Sequence, residues 1–357
     1  MPSPRRGCSC SGNASVRWLC FALLLVTGLL NAASWNVQTI DGREAVPLEQ
    51  VTGFYGLGPP VTSGKVVSAA TGNSSIRLRI GTREAIINGV RHWLAFPVRN
   101  QDGSVWISRM DVAKTIDPIF RPVEVNGTRP LNTVVLDAGH GGHDKGASSP
   151  LGLEKDFALD LAMRVKKRLE AAGLKVIMTR KSDVFIPLES RPAVASRTPG
   201  SIFVSLHFND ASWRPTATGM EVFCIPPHGT PPTGQEKPMA RDLESVPGHQ
   251  LEPQNFLLAN TIFHAMRGKF PSMDRGVKRA RFKVLQLAAV PAVLIEAGFL
   301  TNPAEAKQIA SASWRDRMAD AITAGILEYR KLCTQQARPK QLADWGGKPT
   351  TEFVSED

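Results

Sequence analysis

Four short runs limit the fold more than any other feature of the chain. They are TVVLDA (Thr133–Ala138), KVIMTR (Lys175–Arg180), SIFVSLH (Ser201–His207) and AVLIEAG (Ala292–Gly298). The first is continuously apolar, the pattern of a strand buried on both faces. GMEVFCI (Gly219–Ile225) reads as a further strand. Helical stretches fall between them. One runs from Glu154 to Ala172 with Phe157, Leu161, Val165 and Leu169 on one stripe, and a short one lies near Leu188–Ser196. Two more cover Asn255–Phe270 and Trp314–Leu332. Strands alternating with helices predict an α/β domain over residues 133–333. Its sheet is mixed and mostly parallel, with helices on both faces.

The chain of 357 residues is long enough for a second domain. Residues 34–121 predict a small, β-rich α+β accessory domain. SIRLRIG (Ser75–Gly81) alternates apolar and cationic residues, and EAIINGVRHWLAF (Glu84–Phe96) reads as a hairpin turning at Asn88-Gly89. Gly42–Leu57 and Gly103–Pro118 form a faint internal repeat, each a short strand followed by a short amphipathic helix. Residues 122–132 read as a linker. Residues 226–254, rich in Pro and Gly, are too long for an ordinary connection and read as an inserted loop, either functional or disordered. A lid over the site is one use for it. Residues 334–357 read as a disordered polar tail.

Residues 1–33 predict a signal peptide. Arg5, Arg6 and Arg17 precede the apolar run Trp18–Leu30, and Ala32, Ala33 and Ser34 offer a cleavage site. Bilayer spanning needs about 20 apolar residues, so no stable membrane span is expected after cleavage. The expected location is periplasmic, cell-envelope or secreted. Export permits a disulfide between Cys224 and Cys333, the two cysteines beyond the leader; two buried free thiols are the equal alternative. The formal charge of +11 suits a polyanionic neighbour. Its cations are scattered, with no basic run interleaved with aromatics, so nucleic acid is not the expected partner.

Chemistry-bearing residues collect where strands end. His140 follows the first strand in DAGHGGHDKGA (Asp137–Ala147), Glu154 opens the next helix, His207 ends SIFVSLH, and Glu296 lies in AVLIEAG. In an open α/β sheet the functional crevice lies at the carboxyl ends of the strands. Two His and one Glu form a zinc-hydrolase ligand set, and a carboxylate outside that set moves the proton of an activated water. Taken singly, each has a plainer reading: a phosphate-binding turn, a core His, or a helix-start acid favoured by the helix dipole. Glu296 sits amid apolar residues, where an unpaired charge is costly.

The segments VVLDAGHGGHDKGASSPLGLEKD, SIFVSLHFND, DRGVKRARFKVL and PAVLIEAGFLTNP resemble, in order, the zinc-dependent N-acetylmuramoyl-L-alanine amidases of the amidase_3 family. The resemblance covers Asn132–Leu332. It implies one zinc ion held by His140, Glu154 and His207, with Glu296 catalytic. It also implies substrate contacts at Asn209 and, through a stem-peptide carboxylate, at Arg275. Peptidoglycan is the implied substrate, cut between N-acetylmuramic acid and L-alanine for wall remodelling or cell separation. The alternative is a non-catalytic wall-binding or regulatory protein on the same fold. Two departures from the family pattern are Phe208, where a small residue is usual, and the 226–254 segment. The first third resembles the copper amine oxidase N-terminal-like domain, through the units around VPLEQV and ISRMDV. No metal constellation accompanies it, and its lone His92 reads as structural or surface. A wall polymer or an activator protein is the expected partner of this domain.

Overall fold

The computed structural model describes residues 35–125, 127 and 129–335. The expected leader, and the tail from residue 336, lie outside the described residues.

The accessory half contains β1 (Gln38–Ile40), β2 (Arg43–Pro47), α1 (Leu48–Phe54), β3 (Val61–Ser63), β4 (Val66–Thr71), β5 (Ser74–Arg79), β6 (Glu84–Ile87), β7 (Val90–Trp93), β8 (Arg99–Gln101) and β9 (Ser104–Ser108). Then α2 (Arg109–Asp111) continues through a π turn, Val112–Ile116, into α3 (Asp117–Phe120). On β5, Ile76 and Leu78 are buried while Arg77 and Arg79 are exposed, as the alternation required. Asn88 and Gly89 both take positive φ, 50° and 76°, which closes the β6–β7 hairpin. The internal repeat pairs with itself. β2 and β9, each leading into a helix, lie antiparallel in a four-stranded sheet ordered β1-β2-β9-β8.

The second half contains β10 (Thr133–Ala138), β11 (Ser148–Ser149), β12 (Gly152–Leu153), α4 (Glu154–Ala171), β13 (Lys175–Met178), α5 (Ser190–Ser196), β14 (Ser201–Asn209), β15 (Met220–Cys224), α6 (Glu252–Lys269), β16 (Asp274–Arg279), α7 (Lys283–Gln286), β17 (Ala292–Phe299), α8 (Pro303–Ala310) and α9 (Ala312–Thr334). Its strand order is β13-β10-β14-β17-β15-β16, parallel except where β15 meets β17. One apolar core lies under α4, α6 and α9, and a smaller one lies on the opposite face with α5 and α7. No helix among the described residues is long and apolar enough to cross a membrane. Cys224 and Cys333 are both buried free thiols.

Residues 122–132 do not separate two independent sheets. β16 pairs with β7 at Val277↔His92, so β13 through β3 form one eleven-stranded sheet. His92 is a junction residue, fully buried against the Phe256 ring of α6, and burial pushes its imidazole down to about 3.

The 226–254 segment is a strut between the halves. Short 3-10 turns occur at Ala240–Asp242 and Pro247–Leu251, and α6 takes its last residues. Buried Arg83 of the accessory half donates to the carbonyls of Pro231, Pro232 and Gln235 at 2.9, 3.0 and 2.5 Å. Lys114 pairs with Glu252. The segment leaves from Cys224, at the end of the sheet where β17 begins, and Asn255 Oδ1 there accepts from the Ala292 amide at 2.8 Å. Glu296 is four residues further along β17, about 13 Å at the rise of a strand. The expectation of a lid is therefore corrected, because antiparallel β15 carries the chain away from the site before the segment starts.

Candidate metal centre

β10 ends at Ala138 and the chain turns through Gly139–Gly146. His140 adopts φ of 60°, unusual for a residue with a Cβ. Two buried arginines hold that turn. Arg180 donates to the carbonyls of Ala138 and Gly139 at 2.9 and 2.6 Å, and to that of Lys155 at 2.7 Å. Arg191 donates to the His140 and Ala138 carbonyls at 2.9 and 3.1 Å and to Asp137 Oδ1 at 3.0 Å. Asp137 also accepts from Thr179 and Ser205 hydroxyls, both at 2.7 Å. Asp137 thus fixes the loop and is no metal donor. Neither arginine was singled out from sequence; the available signal was a cation next to strand and helix runs that must be buried.

Three donor atoms converge beyond the turn. Glu154 Oε1 lies 3.0 Å from His140 Nε2 and 2.9 Å from His207 Nδ1, and the two nitrogens are 3.2 Å apart. A tetrahedral ion with bonds near 2.1 Å spaces its ligands by about 3.4 Å, so this triangle fits such an ion with a slight opening. It is the one group of three or more His, Cys, Asp or Glu with metal-ligand spacing among the described residues. Asp144 Oδ1, 2.9 Å from His140 Nδ1, orients that ring so that Nε2 faces inward.

Burial pushes the Glu154 carboxyl up, but hydrogen bonds with His140 and His207 outweigh it and hold the group well below the usual carboxylate range. Its oxygens also accept from the amides of Ala147 (2.7 Å) and Phe208 (3.0 Å). His140 is shifted up: burial opposes its charge, while Glu154 and Asp144 favour it more.

Two glycines leave room for the donors. A Cβ on Gly139 would lie 2.3 Å from His207 Cε1, and one on Gly146, at φ +64°, would lie 2.5 Å from Glu154 Oε2. Gly146→Ala is expected to weaken metal binding roughly ten- to hundredfold, the range for displaced supporting groups, read by competition with a chelating dye. Unchanged affinity would mean the donors tolerate that displacement.

Glu296 lies beside His207 in the parallel pairing of β14 and β17, and opposite Glu221 in the antiparallel pairing of β17 and β15. Its Oε2 is buried with no hydrogen-bond partner among the described residues. Burial, then the charges of Glu154 and Glu221, push its carboxyl well above the ordinary value. Asn209 follows a bulge in β14, and its buried Nδ2 likewise has no partner among the described residues. Arg275 is engaged: it pairs with Glu221, which Lys278 also contacts at 2.6 Å, and lies 5.0 Å from the Phe299 ring centre. Phe208 points the other way, into the core beside Phe157 and Trp314, so its bulk never reaches the donors. Sequence reasoning also missed an apolar rim. Val184 and Phe185 are exposed and lie against the donor loop at Gly141 and Gly142, and Trp213, 82% exposed, stands on the loop after β14.

Two imidazoles at strand ends and a carboxylate at a helix start give this α/β domain a site that could hold a metal ion. The profile of the family described as N-acetylmuramoyl-L-alanine amidase (Amidase_3) matches residues 134–328, and the chain belongs to that family. The N-acetylmuramoyl-L-alanine amidase AmiC of Neisseria meningitidis serogroup B is 36% identical over 57% of this chain and 53% of its own length. The chain therefore spans about half of that relative. AmiA of Escherichia coli K12, of the same description, is 31% identical over 55% of this chain and 75% of its own. Among solved structures, amidase AmiC2 of Nostoc punctiforme shares 32% identity over 57% of this chain and 99% of that one, with a TM-score of 0.47.

Proposed function

We propose that the chain hydrolyses the amide joining N-acetylmuramic acid to L-alanine in peptidoglycan, as an exported enzyme working on the bacterial cell wall. The observation that carries this reading is the convergence of His140, Glu154 and His207 beside the Glu296 carboxyl, whose buried Oε2 has no partner among the described residues. A binder that had lost catalysis would not be expected to keep all four.

The donor set, two imidazoles and one carboxylate, suits zinc. Zinc, when bound there, supplies a Lewis acid that lowers the pKa of a water to about 7 and polarises the amide carbonyl. Glu296 takes the water's proton on its unpartnered Oε2 and returns it to the leaving nitrogen of L-alanine. A cation at the donors also favours the ionised form of Glu296, against the burial that raises its pKa in the metal-free protein. Asn209 Nδ2 donates to the substrate. Arg275 and Lys278 together outweigh Glu221 by one positive charge, which suits a stem-peptide carboxylate at the cleft edge.

The test incubates the chain from residue 34 onward with purified peptidoglycan, with chelator and then with added zinc, and identifies products by mass spectrometry. Stem peptides bearing a free L-alanine amine are expected, lost with chelator and restored by zinc. Release unaffected by chelation would refute the metal role, and cleavage of a different bond would refute the substrate assignment.

A further inference from the structure

The accessory sheet has one face packed and one bare. Val67, Ala69, Ile76, Leu78, Ala85 and Ile87 point into its core, and their neighbours Ser68, Arg77 and Ile86 point away from it. Through β16 this bare face continues onto the face that carries the site. Val277 and His92 pair on the α6 side, whereas Lys278 emerges on the other, reaching Glu221 and the Phe223 ring at 5.9 Å. The strand register then runs as a row. His207, Glu296 and Glu221 are paired in turn across β14, β17 and β15. After the irregular step of β16 the row resumes as Arg91, Ile86, Arg77, Ser68 and Val61. Gly276 lets the strands close at the step, since a Cβ there would lie 2.3 Å from the Arg91 carbonyl oxygen.

Five strand spacings separate Glu296 from Arg77, about 24 Å at roughly 4.8 Å each. Sheet twist of roughly 20–25° per strand makes the row wind, so it suits a flexible polymer more than a rigid rod. Arg77 and Arg79 are exposed and have no ion pair among the described residues, while Arg91 is paired with Glu84, the one acid on these outward positions of β4 to β7. On β4 Ser68 lies opposite Arg77 and half-buried Val66 opposite Arg79, with half-buried Ile86 and Trp93 on the next strands. Val61, on the edge strand, is the one exposed large apolar side chain of this face among the described residues, too little for the anchor cluster of a protein-docking surface. Exposed arginines without acid partners instead fit a glycan polymer whose peptide branches carry carboxylates.

We infer that this winding face is an extended subsite for an acidic glycan polymer, whose scissile amide lies at Glu296 while its length follows Arg91, Arg77 and Arg79. The inference rests on the amidase reading for what sits at Glu296, and adds a wall-gripping role for the accessory half.

The test uses a Glu296→Gln chain, which does not digest its target, sedimented with purified peptidoglycan at low and high salt. Adding Arg77→Gln and Arg79→Gln is expected to weaken binding roughly five- to thirtyfold at low salt, the product of two modest charge contacts, and to flatten the salt dependence. A Lys167→Gln, Lys175→Gln control should bind like its parent. In the active background the paired arginine variant should cut a soluble muramoyl-peptide at the parental rate and intact peptidoglycan more slowly. Unchanged affinity for peptidoglycan would overturn the inference. So would slower wall hydrolysis at unchanged affinity, which would assign the face to a protein partner. An equal loss on the soluble fragment would mark the arginines as structural and overturn it as well. Failure of the unsubstituted chain to cut either substrate would count against the amidase reading, while the sedimentation arm would still decide the subsite.

Discussion

Replacing Glu296 by Gln is expected to lower the rate of amide hydrolysis about a hundred- to ten-thousandfold, the usual contribution of a positioned proton-transfer group. The amide has nearly the shape of the carboxyl but cannot accept and return a proton. Metal content should stay at the parental level, because Glu296 is not among the converging donors. Stability should move in the opposite direction from activity. Burial, then Glu154 and Glu221, raise the Glu296 carboxyl in the metal-free protein. An acid with a raised folded pKa holds its proton more tightly folded than unfolded, so it costs stability as pH climbs above the ordinary value of 4.5. The Gln variant lacks that cost. Its metal-free form should melt above the parent at pH 7, with the gap closing as pH falls toward 4.5. Hydrolysis at the parental rate would remove Glu296 from the reaction, and a gap that widens on acidification would contradict the electrostatics of the site.

Arg191→Leu is expected to destabilise the protein by about 3–5 kcal/mol, the range for breaking a buried ion pair from one side. The Arg191 side chain is 2% exposed and that of its partner Asp137 is fully buried. The guanidinium also satisfies carbonyls of Ala138, His140 and Ile186, which leucine would leave without a donor. The thermal midpoint should fall by about 10 °C. Below that midpoint the variant should bind zinc roughly ten- to hundredfold more weakly, because the unusual backbone of His140 loses its clamp. Arg191→Lys keeps the charge but not the planar fork, and should fall between the two. A leucine variant that melts and binds zinc like the parent would show the turn to be held without Arg191.

The strand–helix order, the hairpin at Asn88-Gly89 and the gathering of His140, Glu154 and His207 were legible because each rests on local signals. Continuous apolar runs, period-two alternation and His or Glu at strand ends survive without knowledge of the partners. What escaped was set by partners distant in sequence. β16, DRGVKR, has too much charge to read as an inner strand; Glu221 accommodates Arg275 and Lys278, and Arg267 pairs with Asp274. α8 was missed although Asn302 caps it at Ala304 and Glu305 ahead of Pro303, a start signal present in the sequence. The 226–254 segment suggested mobility by composition, yet Arg83, some 150 positions earlier, fastens it through three carbonyls. The ion pair of Arg275 with Glu221 was likewise out of reach, since the two lie 54 positions apart.

The pairing of β16 with β7 also decides how such a chain can be divided. Separating the halves near residue 125 would bare the backbone of an inner strand and uncover the apolar surroundings of His92. Exposed strand edges recruit other strands, so each fragment should be prone to self-association. A gene carrying only the Amidase_3 region would need some other way to cap that edge. In this protein the two halves are expected to be inherited, and lost, together.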